Sequence, residues 1–132
     1  MARFLVLSIC LLALGGCESV AMSMLGMGAG TALRYTIDGV TYRTFTAPAP
    51  QVRQATLAAL ERMGIRVLST STFEGGEVFY ADSETRAIEL ELEPVSPRAT
   101  RVRVAAKNGG FFYDSATALE IVAQTERLLL DN

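Results

Sequence analysis

The chain has no histidine and no tryptophan, and Lys107 is its only lysine. Without histidine, it lacks both the commonest acid–base group near neutral pH and the commonest metal ligand. A net charge of −2 rules out the global basic field of a nucleic-acid binder. Cationic character rests almost wholly on arginine. This reads as a compositional bias and points to no function.

Cysteine is also scarce, and its placement is informative. Cys10 sits inside an apolar run from Phe4 to Leu14, and Cys17 follows Gly15-Gly16 at the end of it. A basic start at Arg3, a short apolar middle and small residues before a cut site form a secretory signal layout. The run is too short to cross a bilayer comfortably. A cut directly before cysteine is the lipobox arrangement, in which the thiol accepts acyl chains. Several chains at about 0.8 kcal/mol per buried CH₂ hold far more firmly than one. The expectation is removal of residues 1–16, lipidation at Cys17, and a tether over residues 17–38. A single small α+β domain then fills residues 39–132. With Cys17 acylated, no thiol remains for a disulfide, a cysteine nucleophile or a cysteine zinc site.

Within the tether, Gly26, Gly28 and Gly30 alternate, but no strand precedes them and no Gly-Lys-Ser/Thr follows. They lack the spacing of a phosphate loop or dinucleotide fingerprint. From Gly39 onward the pattern becomes regular. Val40–Thr46 reads as a strand and ends at Pro48 and Pro50. Gln51 to Met63 places Val52, Ala55, Thr56, Ala59, Leu60 and Met63 on one helical face, and Gly64 ends it. Residues 65–72 and 77–81 read as strands around Glu74-Gly75-Gly76. From Arg86 to Glu93, Ile88, Leu90 and Leu92 alternate with Glu89, Glu91 and Glu93. From Arg101 to Ala106, Val102 and Val104 alternate with Arg101 and Arg103. Asp114 or Ser115 opens a last helix with Ala118, Ile121, Val122, Thr125, Leu128 and Leu129 on its apolar face. The resulting order is β-α-β-β-β-β-α, a mostly antiparallel sheet with two helices packed on one face.

Both charged rows occupy odd positions. An antiparallel hairpin that keeps them on one face pairs odd with odd: Glu91 with Arg101 and Glu89 with Arg103, or the register shifted by one pair. A solvated Glu/Arg face explains this alternation better than an acidic metal site or a glycosidase carboxylate pair. No pattern places Lys107 and Ser115 together, and a capping serine at a helix start is common, so a nucleophile–base pair is not the expectation. The run Phe111-Phe112-Tyr113 stands just before a helix, where aromatics more often fold back on the core. The other reading of Phe111, Phe112 and Tyr113 is a partner or lipid contact.

Several pieces together resemble a family of short bacterial lipoproteins known as domain of unknown function 3568. They are the Cys17 lipobox, the segment Gly26-Met27-Gly28-Ala29-Gly30-Thr31-Ala32, the strand Tyr42-Arg43-Thr44-Phe45, and the helix Val52 to Met63 ending at Gly64-Ile65. The resemblance implies an envelope lipoprotein and brings no catalytic residues. A weaker, fold-level similarity links the strand–helix–strands order to the repeated domains of a lipoprotein that assists outer-membrane β-barrel assembly. The expected role is a non-catalytic binding or scaffolding module without cofactor, metal or nucleic acid. Its expected contacts are the membrane, through the anchor, and an envelope protein partner. Glu18 after the cysteine, where aspartate would favour inner-membrane retention, points to the outer membrane. Alternatives are an accessory role in outer-membrane protein assembly, a lipid-binding domain with a cavity between sheet and helices, or a carboxylate- or serine-dependent enzyme.

Overall fold

The computed structural model describes residues 34–109 and 111–132. Cys17 and the glycine-rich segment therefore lie outside the described residues. The elements are β1 (Arg34–Ile37), β2 (Val40–Phe45), α1 (Ala49–Arg62), β3 (Arg66–Phe73), β4 (Gly76–Ser83), β5 (Arg86–Ser96), β6 (Ala99–Asn108), β7 (Phe112–Tyr113) and α2 (Ser115–Leu130). The expected α+β architecture is present, with two further strands, β1 ahead of β2 and β7 between β6 and α2. All pairings are antiparallel, and the sheet runs β1-β2-β6-β5-β4-β3, with β7 also on β6.

β1 lies upstream of Gly39, within the stretch expected to be tether. It forms because Asp38-Gly39 makes a two-residue turn, with φ of 49° and 80°, between Ile37 and Val40. Two positive φ angles define the hairpin turn whose twist matches the flanking strands, and Asp-Gly is a favoured pair for it. Tyr35 and Tyr42 face each other across this hairpin and stack at 5.0 Å.

Alternation decides the faces. Phe79 and Ala81 of β4, Ile88, Leu90 and Leu92 of β5, Val102 and Val104 of β6 and Phe45 of β2 lie opposite one another in register and are buried. Val52 and Leu60 of α1 and Ile121 and Val122 of α2 close over them. Ala55 and Ala59 of α1 meet Leu128 of α2 in a second cluster, where small side chains let the two helices approach. The buried face of α1 is the one the spacing predicts, except that Met63 is only half-buried. Pro48 starts α1, its carbonyl accepting from Gln51 and Val52 N–H. Gly64, with φ 68°, ends it; Ile65 N–H returns to the Leu60 carbonyl at 2.8 Å, satisfying an otherwise orphaned acceptor.

The Glu/Arg hairpin pairs odd with odd in the register shifted by one pair. Glu93 faces Arg101, Glu91 faces Arg103, and Glu89 faces Ala105. Glu91 and Arg101 are therefore not cross-strand partners, nor are Glu89 and Arg103, although Arg103 still reaches Glu89 diagonally with its side chain. The reason lies at the turn. Ser96 pairs with Ala99 across Pro97-Arg98, and a bulge at Val95 precedes the pair Pro94 and Thr100. Pro97 is held to negative φ, so the turn lacks the twist of a positive-φ hairpin. The bulge adds twist and one residue. Without that extra residue unpaired, Glu93 would face Val102 and mix the charged and apolar rows.

Candidate functional site

Two features stand out on the described surface: an aromatic tip and the helix-free face of the sheet. The tip begins where β6 ends. Gly109 turns the chain with φ 62°, and β7 folds back so that Tyr113 pairs with Lys107 and Phe112 with Asn108. Asp114 N–H donates to the Ala106 carbonyl at 2.8 Å and extends the ladder. The Asp114 side chain then caps α2, accepting from Thr117 N–H at 3.0 Å and from the Thr117 hydroxyl at 2.8 Å. Arg86 donates to the same carboxylate. The Thr117 backbone hydrogen bond, then those from Arg86 and the Thr117 hydroxyl, hold the Asp114 carboxyl down to about 2. Of the two candidate caps, Asp114 takes the role.

This anchoring presents the aromatics outward. Phe111 is 88% exposed and Phe112 78%. The expectation that the run folds back on the core is overturned for both. Their short strand ends on the edge of β6 beyond the reach of β2, and α2 starts only after Asp114, so none of the described elements lies over them. Tyr113 is the partial exception. It lies against the Asp38-Gly39 turn, so close that a Cβ on Gly39 would stand 2.3 Å from Tyr113 Cβ. The Lys107 ammonium lies 5.3 Å from its ring centre. Ile37, at the same hairpin end as Gly39, is also exposed. Chain direction and register place this tip at the sheet end opposite Arg34, where the chain enters β1.

On the helix-free face, Arg103 bridges Glu89 at 2.9 Å and Glu91 at 3.0 Å, and Arg101 pairs with Glu93. Partial burial works against the charged form of Arg103, but its hydrogen bonds to Glu89 and Tyr42 and the nearby carboxylate charges outweigh it and raise its pKa. Arg101 is exposed, while Glu89, Glu91, Glu93 and Arg103 are half-buried, with Tyr42 and Tyr80 flanking the strip. Beside them lies an open groove of about 240 Å³, bordered by Leu68, Tyr80, Ala87, Ala105, Lys107 and Tyr113. Every carboxylate of the row has an arginine partner, which fits a solvated ion-pair face. Among the described residues, no cluster of acidic, cysteine or histidine side chains has the makings of a metal site.

A family model described as "Protein of unknown function (DUF3568)" matches residues 1–125. The chain belongs to this family. The match begins at the first residue, so it spans the apolar start and Cys17 as well as the sheet and most of α2. No curated protein matches the chain. Of the residues singled out in the sequence, the structure brings Tyr113 together with Lys107 and the Asp38-Gly39 turn, and pairs Phe112 with Asn108. The role of Ile37 and the turn was readable in principle, since Asp-Gly between Tyr35-Thr36-Ile37 and Val40-Thr41-Tyr42 is a hairpin signal.

Proposed function

We propose that this chain is a cell-envelope lipoprotein, anchored through Cys17, whose domain binds an envelope protein at the Phe111–Tyr113 tip without catalysing a reaction. The observation that carries the reading is the outward display of Phe111 and Phe112 on a hydrogen-bonded hairpin. Exposed aromatics on a rigid support lose little entropy on docking and supply the large apolar contacts that dominate interfaces. The lipobox supports the anchor, and Glu18 supports delivery to the outer membrane. The layer between sheet and helices is filled by Leu60, Phe79, Leu90 and Ile121, which favours a protein partner over a lipid held inside the fold.

Two measurements test the proposal. Metabolic labelling with a fatty-acid analogue marks the parent chain and spares Cys17→Ala; equal labelling of both removes the anchor. A photo-crosslinker at Phe112 captures a discrete envelope protein, whereas one at Arg98, at the opposite end of the sheet, does not. Equal capture from both positions, or none from Phe112, removes the binding tip.

A further inference from the structure

We infer that β3 is a self-pairing edge, through which two copies of this chain join their sheets antiparallel about a two-fold axis at Ser71. Among the described residues, β3 ends the sheet and pairs only with β4. It is eight residues long, against four for β1 at the other edge. Only Val67 is half-buried; Arg66 and every residue from Leu68 to Phe73 are exposed. An edge strand offers a row of unpaired N–H and C=O groups, and monomeric sheets guard it with charge, proline, bulges or brevity. From Val67 to Phe73 there is no charge and no proline. The single guard, a bulge between Val67 and Ser69, lies at one end and leaves Ser69–Phe73 in unbroken register with β4.

The residues on this edge select a second copy as occupant. Ser69, Ser71 and Phe73 belong to the helix-free face, and Thr70 and Thr72 to the helix face. Antiparallel self-pairing keeps both faces continuous only when the paired residue numbers share parity. The register centred on Ser71 is the longest that satisfies this without crossing the bulge. Ser69 faces the second copy's Phe73, Thr70 faces the second copy's Thr72, and Ser71 faces its own counterpart. Exposed Phe73 then lies beside the second copy's Leu68, which is itself 60% exposed. The strand also carries opposite charges at its ends, Arg66 at its start and Glu74 just past its finish. Antiparallel pairing brings each Arg66 end toward the other copy's Glu74 end, while parallel pairing would set like charges together. Glu74 has no ion-pair partner among the described residues. The helices of both copies stay on one side of the joined sheet, so no described element obstructs the junction.

A five-residue ladder is a small interface, so the test traps it covalently. Opposed residues in an antiparallel pair have Cα atoms about 4.5–5.5 Å apart, within the disulfide window of about 4.4–6.8 Å. Full-length Ser71→Cys, purified in detergent and mildly oxidised, is expected to run mostly as a covalent dimer. Ser69→Cys, whose two copies stand on the order of 13 Å apart, is expected to stay at the level of the parent with its native cysteines. Mixing Ser69→Cys chains with Phe73→Cys chains should restore the crosslink. Ser71→Lys, which sets two ammonium groups face to face, should abolish chemical crosslinking of the native chain while leaving its circular dichroism unchanged. The proposal fails if Ser71→Cys links no more than Ser69→Cys, or if its disulfide joins a different protein. Dimer that persists in Ser71→Lys also overturns it.

Discussion

Arg43 shows how a single residue's surroundings set the energetics. It points toward the helices, is 8% exposed, and pairs with Glu126 of α2 while its guanidinium lies 5.2 Å from the Phe45 ring centre. Its Nε has no partner among the described residues. Removing one member of a buried ion pair leaves an uncompensated charge, which is more damaging than losing the pair. Glu126→Ala should therefore destabilise the chain by about 2 kcal/mol, below the fully buried range because Glu126 is partly open to water. Arg43→Met with Glu126→Leu should cost less than Glu126→Ala alone, as urea unfolding would show. Asp114 gives a pH signature. Its carboxyl is held down to about 2, below its ordinary value. Its contribution is complete above about pH 4 and is lost as pH falls toward 2. Asp114→Asn keeps a good cap but does not titrate, so its stability should fall less steeply over that window. Asp114→Ala should lose about 1 kcal/mol even at neutral pH. Phe111 and Phe112 complete this scale: exposed as they are, the Ser double variant should stay within about 0.5 kcal/mol of the parent.

At the scale of elements, turns and bulges govern register. Deleting Val95 should leave a regular hairpin, since Pro94–Thr100 and Ser96–Ala99 already follow one another once the extra residue is gone. The loss should be within about 1 kcal/mol by thermal unfolding. Deleting Glu91 has the opposite outcome: Ile88 and Leu90 would turn to the helix-free face and Glu89 toward the core, which should prevent folding. Glycines separate in the same way. Gly39→Ala combines a positive φ with a collision at Tyr113, whereas the site at Gly64 has positive φ but open space. Gly64→Ala should cost about 1 kcal/mol, and Gly39→Ala distinctly more, because it also displaces β7.

Across the described residues, stability rests on a main core between the sheet and two helices and a smaller cluster where the helices meet. Chelator or reductant should leave the melting temperature unchanged; a drop of several degrees would reveal a ligand or crosslink. The strand order places β2, near the start of the domain, beside β6, near its end. Final consolidation of the sheet thus requires pairing across most of the domain, which slows folding relative to the local hairpins.

Much of the architecture was legible because it follows from local periodicity. The odd–even pattern of Glu89 to Leu92 and Arg101 to Val104 determined which side chains enter the core. The spacing of Val52 to Leu60 and Ala118 to Leu128 determined the buried helix faces. Burial of apolar groups enforces both, whatever the neighbours are. The choice between two permitted Glu/Arg registers belonged to the Pro97-Arg98 turn and its bulge, whose geometry depends on backbone twist rather than hydropathy. The exposure of Phe111 and Phe112 was also decided in three dimensions. Aromatic content shows that a residue gains from burial, but only strand order shows that none of the described elements covers the end of β6. The union of β2 with β6 likewise joins residues distant in the chain, through backbone hydrogen bonds that carry no mark in side-chain chemistry.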